Sequence, residues 1–292
     1  MQEQMECAAP ARAPARASMA RAAERLLRAG NGACLNWPGA TLSSNFQPIL
    51  GVRDAVCHGY EAFLRASDPA GRRIAAADLF EHAGESRAVL DWACRALHLR
   101  NYARFEPDDR TLFLNVHPQA AAHDASCAVE LGDLVRYYGL LPKRVCVEII
   151  ADESADEQAL LEALAIYREL GISIAIDGFG KVRSNFDRVM TMRPDVVKLD
   201  RALFAHKLLG WGRSRRMLAG VVELLHEMRA RVVVTGIETA DEARVAIDAG
   251  ADYVQGFFFC APEAGPSDEG AAIARLSAVL RAGGRRNLAF AR

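Results

Sequence analysis

Ile172-Ser173-Ile174-Ala175-Ile176-Asp177-Gly178-Phe179-Gly180 alternates large apolar and small residues until it reaches an aspartate. In a strand, successive side chains point to opposite faces, so Ile172, Ile174 and Ile176 share one face and Ser173, Ala175 and Asp177 the other. Bulk on one side and small groups on the other suit a barrel strand, with helices packed outside and a crowded interior. Asp177 then points inward at the strand's C-terminal end, where such barrels hold their chemistry. The glycines that follow permit a tight turn beside it.

The chain around this stretch has 292 residues, 51% of them hydrophobic and 25% charged, with a formal net charge of −1. That is an ordinary globular balance, with no basic footprint for nucleic acid. No apolar run approaches the about 20 residues of a membrane span. Seven scattered cysteines (Cys7, Cys34, Cys57, Cys94, Cys127, Cys146, Cys260) form no CxxC pair. An odd number in a chain of this size points to a reducing cytoplasm rather than a disulfide framework. Residues 1–30 are rich in Ala and Arg, but Glu3, Glu6 and Glu24 interrupt Arg12, Arg16, Arg21, Arg25 and Arg28, and no apolar signal core follows. The segment reads as a partly disordered tail with a short helix over 19–28, followed by a connector over 31–44. The expected division is an N-terminal extension (1–43), a barrel (44–264), and a closing helix (269–280) with a polar tail in 265–292.

Working outward, short apolar runs alternate with helical stretches, the signature of βα units and a parallel sheet. Strands are expected near 45–51, 57–65, 111–116, 145–150, 172–177, 195–199, 231–235 and 252–258. Such a series closes as an α/β fold, a (β/α)8 TIM-type barrel. The link between the first two strands is too short for a parallel crossover, so that pair is expected to be antiparallel. Between strands, Ser154 with Glu157 reads as a capping box, Leu160, Leu161, Leu164 and Tyr167 as a buried stripe, and Gly171 as the stop of one helix.

Applying the same parity to every strand gathers a ring of Glu61, Asn115, Glu148, Asp177, Lys198 and Gln255, with Glu238 joining from a loop. Single polar residues at strand ends are often structural; a set in register argues for a site. Three carboxylates and an amide oxygen form a hard-oxygen set suited to Mg²⁺ or Mn²⁺. A nearby lysine suits a phosphate or an oriented water.

These residues also carry a resemblance. Gln47-Pro48-Ile49, Glu61-Ala62-Phe63-Leu64-Arg65, Leu114-Asn115-Val116, Val147-Glu148-Ile149, Ala175-Ile176-Asp177-Gly178-Phe179-Gly180, Lys198-Leu199-Asp200, Gly236-Ile237-Glu238-Thr239 and Val254-Gln255-Gly256-Phe257 resemble, in order and spacing, the EAL-domain family of cyclic-di-GMP phosphodiesterases. The resemblance covers about residues 44–264 and implies the barrel with its antiparallel first strand. It implies that Glu61, Asn115, Glu148 and Asp177 hold a first metal, that Lys198 sits by the attacking water, and that Gln47 and Arg65 touch the nucleotide. Asn115, Asp177, Lys198 and Gln255 also belong to the implied ligand surface, and Lys198 and Glu238 are the residual catalytic groups.

The departures bear on activity. Hydrolytic members carry a second aspartate where this chain has Gly178, a glutamate at Thr235, and another at Ala151. Their Thr-Gly-Tyr-Ser is replaced by Lys181-Val182-Arg183-Ser184. Two-metal phosphodiester hydrolysis holds its ions about 3.5–4 Å apart on shared carboxylates. Gly178 and Thr235 supply none, so the second metal site is expected to be lost. Lys181 and Arg183 bring positive charge to the rim instead. The expected function is a catalytically inactive EAL-type signalling protein, sensing cyclic-di-GMP or contacting a regulatory protein, compatible with a homodimer. An active phosphodiesterase producing pGpG is the alternative, and a Schiff-base enzyme using Lys198 is a remote third. The run Arg213, Arg215, Arg216 reads as a solvated helix face, the histidines show no ligand spacing, and Cys260 reads as an inert thiol near the cavity.

Overall fold

The computed structural model describes residues 34–105, 109–118, 121, 126–150, 156–181, 186–204, 210–265 and 269–287. It opens with β1 (Cys34–Trp37) paired antiparallel to β2 (Ala40–Gly51). The turn between them is Pro38-Gly39, where proline presets φ and Gly39 takes the positive value of 76° that its position requires. Residues 34–44, expected as a connector, are thus a hairpin, and the barrel's first strand begins before residue 44. From β2 the chain turns back into β3 (Cys57–Ser67), antiparallel as expected, with Gln47 opposite Glu61. A short β4 (Arg73–Ile74) pairs with the end of β3 and leads into α1 (Ala76–His82) and α2 (Arg87–Ala103).

The βα units then follow in turn. These are β5 (Thr111–Val116) with α3 (Ser126–Tyr137), β6 (Val145–Ile150) with α4 (Glu157–Glu169), and β7 (Ser173–Phe179) with α5 (Phe186–Met192). They continue with β8 (Val196–Leu199) and α6 (Gly210–Glu227), β9 (Arg231–Val234) and α7 (Ala240–Asp248), and β10 (Tyr253–Val254) with α8 (Glu269–Asn287). β3 and β5 to β10 run parallel, and β2 closes the ring by pairing antiparallel with both β3 and β10. The result is an eight-strand barrel, with β1 and β4 as extra edge strands.

Helix ends follow local chemistry. Asp156 caps α4, its carboxylate accepting from Ala159 N at 3.1 Å. The expected cap, Ser154, lies outside the described residues, and the helix starts beyond it. At the other end, Ile172 N donates to Tyr167 O and Gly171 N to Arg168 O, both at 2.9 Å, with Gly171 at φ 81°. This is the glycine stop read from the sequence, in its Schellman form. Leu160, Leu164 and Tyr167 are buried beneath it. α8 runs on to Asn287, through part of the expected polar tail.

Two apolar compartments result. Outward-facing residues such as Leu114, Val147, Ile149, Ile174, Ile176, Val197 and Val234 pack with the helices in one cluster. Inside the barrel, Ile49, Phe113, Cys146, Ala175, Val196, Val233 and Tyr253 form a separate layer. The small inner face of β7 therefore marks the barrel interior, as its alternation indicated.

His98 of α2 is fully buried, with Nδ1 2.8 Å from Ser44 Oγ of β2. Burial pushes its pKa down to about 4 from 6.5. The unfolded chain then binds the extra proton between these values, so stability rises with pH across the window. The contribution, on the order of 3 kcal/mol, is complete above pH 6.5 and is lost as pH falls to about 4. Urea unfolding across this range is expected to show the slope, and His98→Asn to flatten that part of it. Gly256 supplies a second check. A Cβ there would lie 2.1 Å from Ile237 O, whereas Gly71 is open on all sides. Gly256→Ala is expected to lower stability by about 3 kcal/mol or more through overpacking, and Gly71→Ala by about 1–2 kcal/mol through its positive φ alone.

Candidate ligand site at the barrel mouth

Each member of the inner apolar layer is followed, two residues toward the barrel's C-terminal mouth, by a polar side chain. Phe113 leads to Asn115, Cys146 to Glu148, Ala175 to Asp177, Val196 to Lys198, Val233 to Thr235 and Tyr253 to Gln255. β2 runs the other way, so Ile49 leads back to Gln47. The register sets Asn115 beside Glu148 and Gln47 beside Glu61. The polar ring is a direct product of strand parity.

Lys198 is its centre. Its Nζ lies 2.6 Å from Glu61 Oε2 and 2.6 Å from Glu148 Oε1, with side-chain exposures of 1%, 7% and 0%. Gln255 Nε2 donates to Glu61 Oε2 at 2.8 Å and to Gln47 Oε1 at 3.2 Å, and Gln47 Nε2 donates to Cys260 O at 2.8 Å. Asn115 Nδ2 donates to Glu61 Oε1 at 3.2 Å, which leaves its amide oxygen for another partner. Glu148 Oε2 is buried without a hydrogen-bond partner.

The charges divide unequally. Burial acts against an ionised Glu61, but the Lys198 ammonium and hydrogen bonds from Lys198, Gln255 and Asn115 outweigh it and hold the pKa below the usual range. For Glu148, burial and the neighbouring Glu61 push the pKa well up, more than Lys198 pulls it down. Burial also raises Asp177, against the pull of Lys198. Lys198 itself would be lowered by burial, but Glu148, Glu61 and Asp177 raise it. The stable assignment is an ammonium paired to an ionised Glu61, with Glu148 and Asp177 the members driven toward the neutral acid.

The expected ring is thus largely assembled, with two differences. Glu238 does not join it: the side chain is half exposed and pairs at 2.7 Å with Arg201 Nη1. Arg201 also pairs with Glu242 at 2.7 Å, the residue that completes a capping box with Thr239 at the start of α7. Arg201 was not singled out in the sequence, because a lone arginine two residues beyond a strand carries no periodic signal. Gln47, expected at the nucleotide, is buried and tied to Cys260 and Gln255. Arg65 is half-buried at the rim, its guanidinium over the Phe63 ring at 5.9 Å.

The departures have structural content. Gly178 has φ 74° and nothing within 4 Å of where a Cβ would be. The Thr235 hydroxyl donates to Leu199 O at 3.1 Å. Lys181 is exposed. Ala151, Ser154, Val182, Arg183, Ser184 and the expected helix over 19–28 lie outside the described residues. Arg213, Arg215 and Arg216 are exposed, Arg215 lying 3.6 Å from Asp248.

The ring's donor chemistry, three carboxylates and an amide oxygen, is that of a hard cation. Among the described residues, no three His, Cys, Asp or Glu side chains are gathered as a metal would need them. The Lys198 ammonium lies between Glu61 and Glu148.

Comparison with known proteins agrees with this geometry. A profile of the EAL domain matches residues 39–262. This chain belongs to the EAL-domain family. It is 28% identical over 226 residues to the cyclic di-GMP phosphodiesterase PA2567 of Pseudomonas aeruginosa, covering 74% of this chain and 38% of that protein. The chain spans about a third of the length of the curated relatives it matches. In structure it is similar to the EAL-domain protein YkuI of Bacillus subtilis, solved with c-di-GMP and calcium (TM-score 0.73, 23% identity, 85% of this chain and 63% of that one). It is also similar to the FimX EAL domain of P. aeruginosa, solved with c-di-GMP (TM-score 0.69, 22% identity, 84% and 96%). At these identities the structural likeness establishes the fold, the EAL barrel. No helix among the described residues is long and apolar enough to cross a membrane.

The charge assignment is checked by two substitutions in urea unfolding. Lys198→Met leaves an ionised Glu61 buried without its partner and is expected to lower stability by about 3–5 kcal/mol. Glu148→Gln keeps the Lys198–Glu61 pair and is expected to lower it by only about 1–3 kcal/mol. Equal losses would make Glu148 the ionised partner.

Proposed function

We propose that this EAL domain is a cyclic-di-GMP sensor that does not hydrolyse its ligand, and that it passes the bound state to a regulatory protein. The observation that carries the reading is the Lys198 ammonium bound to Glu61 and Glu148, together with the absence of a carboxylate at Gly178 and Thr235. Phosphodiester hydrolysis needs an activated water and stabilisation of both attacking and leaving oxygens. A lysine already hydrogen-bonded to two carboxylates is poorly placed to orient a water. A glycine and a threonine bonded to backbone hold no cation. Groups that act together lose far more than the sum of their parts when several are missing.

Binding needs less. Arg65 at the rim offers a guanidinium for a phosphate, and Asn115 and Asp177 stand at the mouth ends of β5 and β7. The similar proteins YkuI and FimX were solved with c-di-GMP, and PA2567 is a cyclic di-GMP phosphodiesterase, which supports this ligand class for the chain. The proposed setting is a reducing cytoplasm; the six described cysteines are free thiols.

The test is calorimetric titration of cyclic-di-GMP into the full chain in EDTA and again with Mg²⁺, with chromatography of the incubated mixture. Saturable binding in both conditions without pGpG is the expected result. Arg65→Ala, which removes a charge-assisted phosphate contact, is expected to weaken binding about 10- to 100-fold. Accumulating pGpG would overturn the reading in favour of an active phosphodiesterase. No binding in either condition would overturn it in favour of a domain that acts by protein contact alone.

A further inference from the structure

We infer that Arg73 joins Arg65 in a paired-guanidinium site for a phosphate group, on the arm that β2, β3 and β4 raise beyond the barrel mouth. The inference rests on the cyclic-di-GMP reading for the identity of the ligand, and adds Arg73 to the residues that hold it. Strand register sets the pair. Gln47 lies opposite Glu61 at the level of the ring. The same face continues through Asn45 opposite Phe63 and Ser43 opposite Arg65 to Thr41 opposite Ser67. β4 pairs antiparallel with the end of β3 and sets Arg73 opposite Ser67. Directly opposite residues share a face, so Arg73 stands on the face that carries Arg65 and Glu61. Arg65 and Arg73 are diagonal neighbours, a spacing of roughly 7–8 Å that two long side chains span. The face opens to solvent as it rises: Glu61 is buried, Arg65 half-buried and Arg73 exposed.

The turn before β4 fixes that register. Asp68 Oδ1 accepts from Ala70 N and Arg72 N, both at 2.9 Å, Asp68 N donates to Arg72 O at 2.9 Å, and Gly71 takes a φ of 80°. The other carboxylate oxygen accepts from Arg72 Nε at 2.7 Å. Asp68 is thus committed to its own turn and to Arg72. Among the described residues, neither Arg65 nor Arg73 has a carboxylate partner. Arg65 Nη1 donates to Leu64 O at 3.1 Å, which leaves most of its donors for a ligand. Burial, and then the charge of Arg73, hold the Arg65 pKa below its ordinary value. Two like charges on one face repel each other. A phosphate seated between them answers both, with oxygens that match the guanidinium fork. An Arg73 that only supported β4 would lower stability when truncated. A phosphate-binding Arg73 leaves stability unchanged or raises it on truncation, and weakens binding, so the two readouts separate the roles.

The test uses the full chain, with cyclic-di-GMP titrated by calorimetry at low and high salt and the unfolding midpoint of each variant read without ligand. Arg73→Ala is expected to weaken binding about 10-fold, the lower end for a hydrogen bond to a charged group. It is also expected to flatten the dependence of affinity on salt and to unfold at or above the wild-type midpoint. Arg73→Glu is expected to weaken binding about 100-fold, by setting a carboxylate against the phosphate, and to raise the midpoint by pairing with Arg65. Arg72→Ala, whose guanidinium is already answered by Asp68, is expected to bind as wild type does. Binding that is unchanged in Arg73→Ala and Arg73→Glu overturns the inference and leaves the sensor reading standing. If the wild-type chain binds no cyclic-di-GMP, that reading falls, and inorganic pyrophosphate becomes the probe of the site. A rise in the wild-type midpoint with pyrophosphate that Arg73→Ala loses supports the site. No rise, or an equal rise in both proteins, overturns it.

Discussion

An ammonium held between two carboxylates inside a closed barrel constrains everything around it. Lys198, Glu61 and Glu148 are all nearly removed from water, so each charge must be answered by a neighbour rather than by solvent. Asn115 and Gln255 answer Glu61, and Gln255 is in turn positioned through Gln47 and the Cys260 carbonyl. The polar level is therefore one connected network that ties β2, β3, β5, β6, β8 and the end of β10 together across the interior. The arrangement is rigid because moving one member leaves another unpaired.

That network stands on an apolar floor. The seven inward side chains from Ile49 to Tyr253 fill the barrel below it, and the polar groups appear one parity step nearer the mouth. Strand alternation thus sorts chemistry by height: burial where the helices press from outside, polarity where the barrel opens. Backbone contact fixes the last part of the ring. Gly256 lies so close to Ile237 that no side chain fits between them, and Ile237 N donates to Gln255 O at 3.1 Å. The glycine after Gln255 is what lets the loop beyond β9 hold that glutamine in place.

Much of this was legible in the sequence, because it depends on alternation and order. The inward set of β7 followed from Ile174, Ala175 and Ile176, and the ring followed from the same rule applied to Asn115, Glu148, Lys198 and Gln255. What escaped depends on contacts that periodicity does not encode. The β1–β2 hairpin lay in a stretch read as a connector, although Pro38-Gly39 carried the turn chemistry that closes it. Glu238 was placed in the ring on position alone. Arg201, with no pattern of its own, draws it outward and pairs it beside Glu242. Lys198 was expected beside a water. Its length and the depth of Glu61 and Glu148 also bring it onto both carboxylates, which no one-dimensional pattern specifies.

The fate of the charges at the mouth links fold to function. Burial disfavours three ionised carboxylates around a single lysine, and two responses are available: a second cation, or protonation of the carboxylates least well supported. Glu61 has three donors and stays ionised, whereas Glu148 has one donor and an orphaned oxygen and is pushed toward the acid. Gly178 and Thr235 add no carboxylate to this set. An EAL barrel balanced in this way carries a guanidinium at its rim and ties Lys198 to the carboxylates around it.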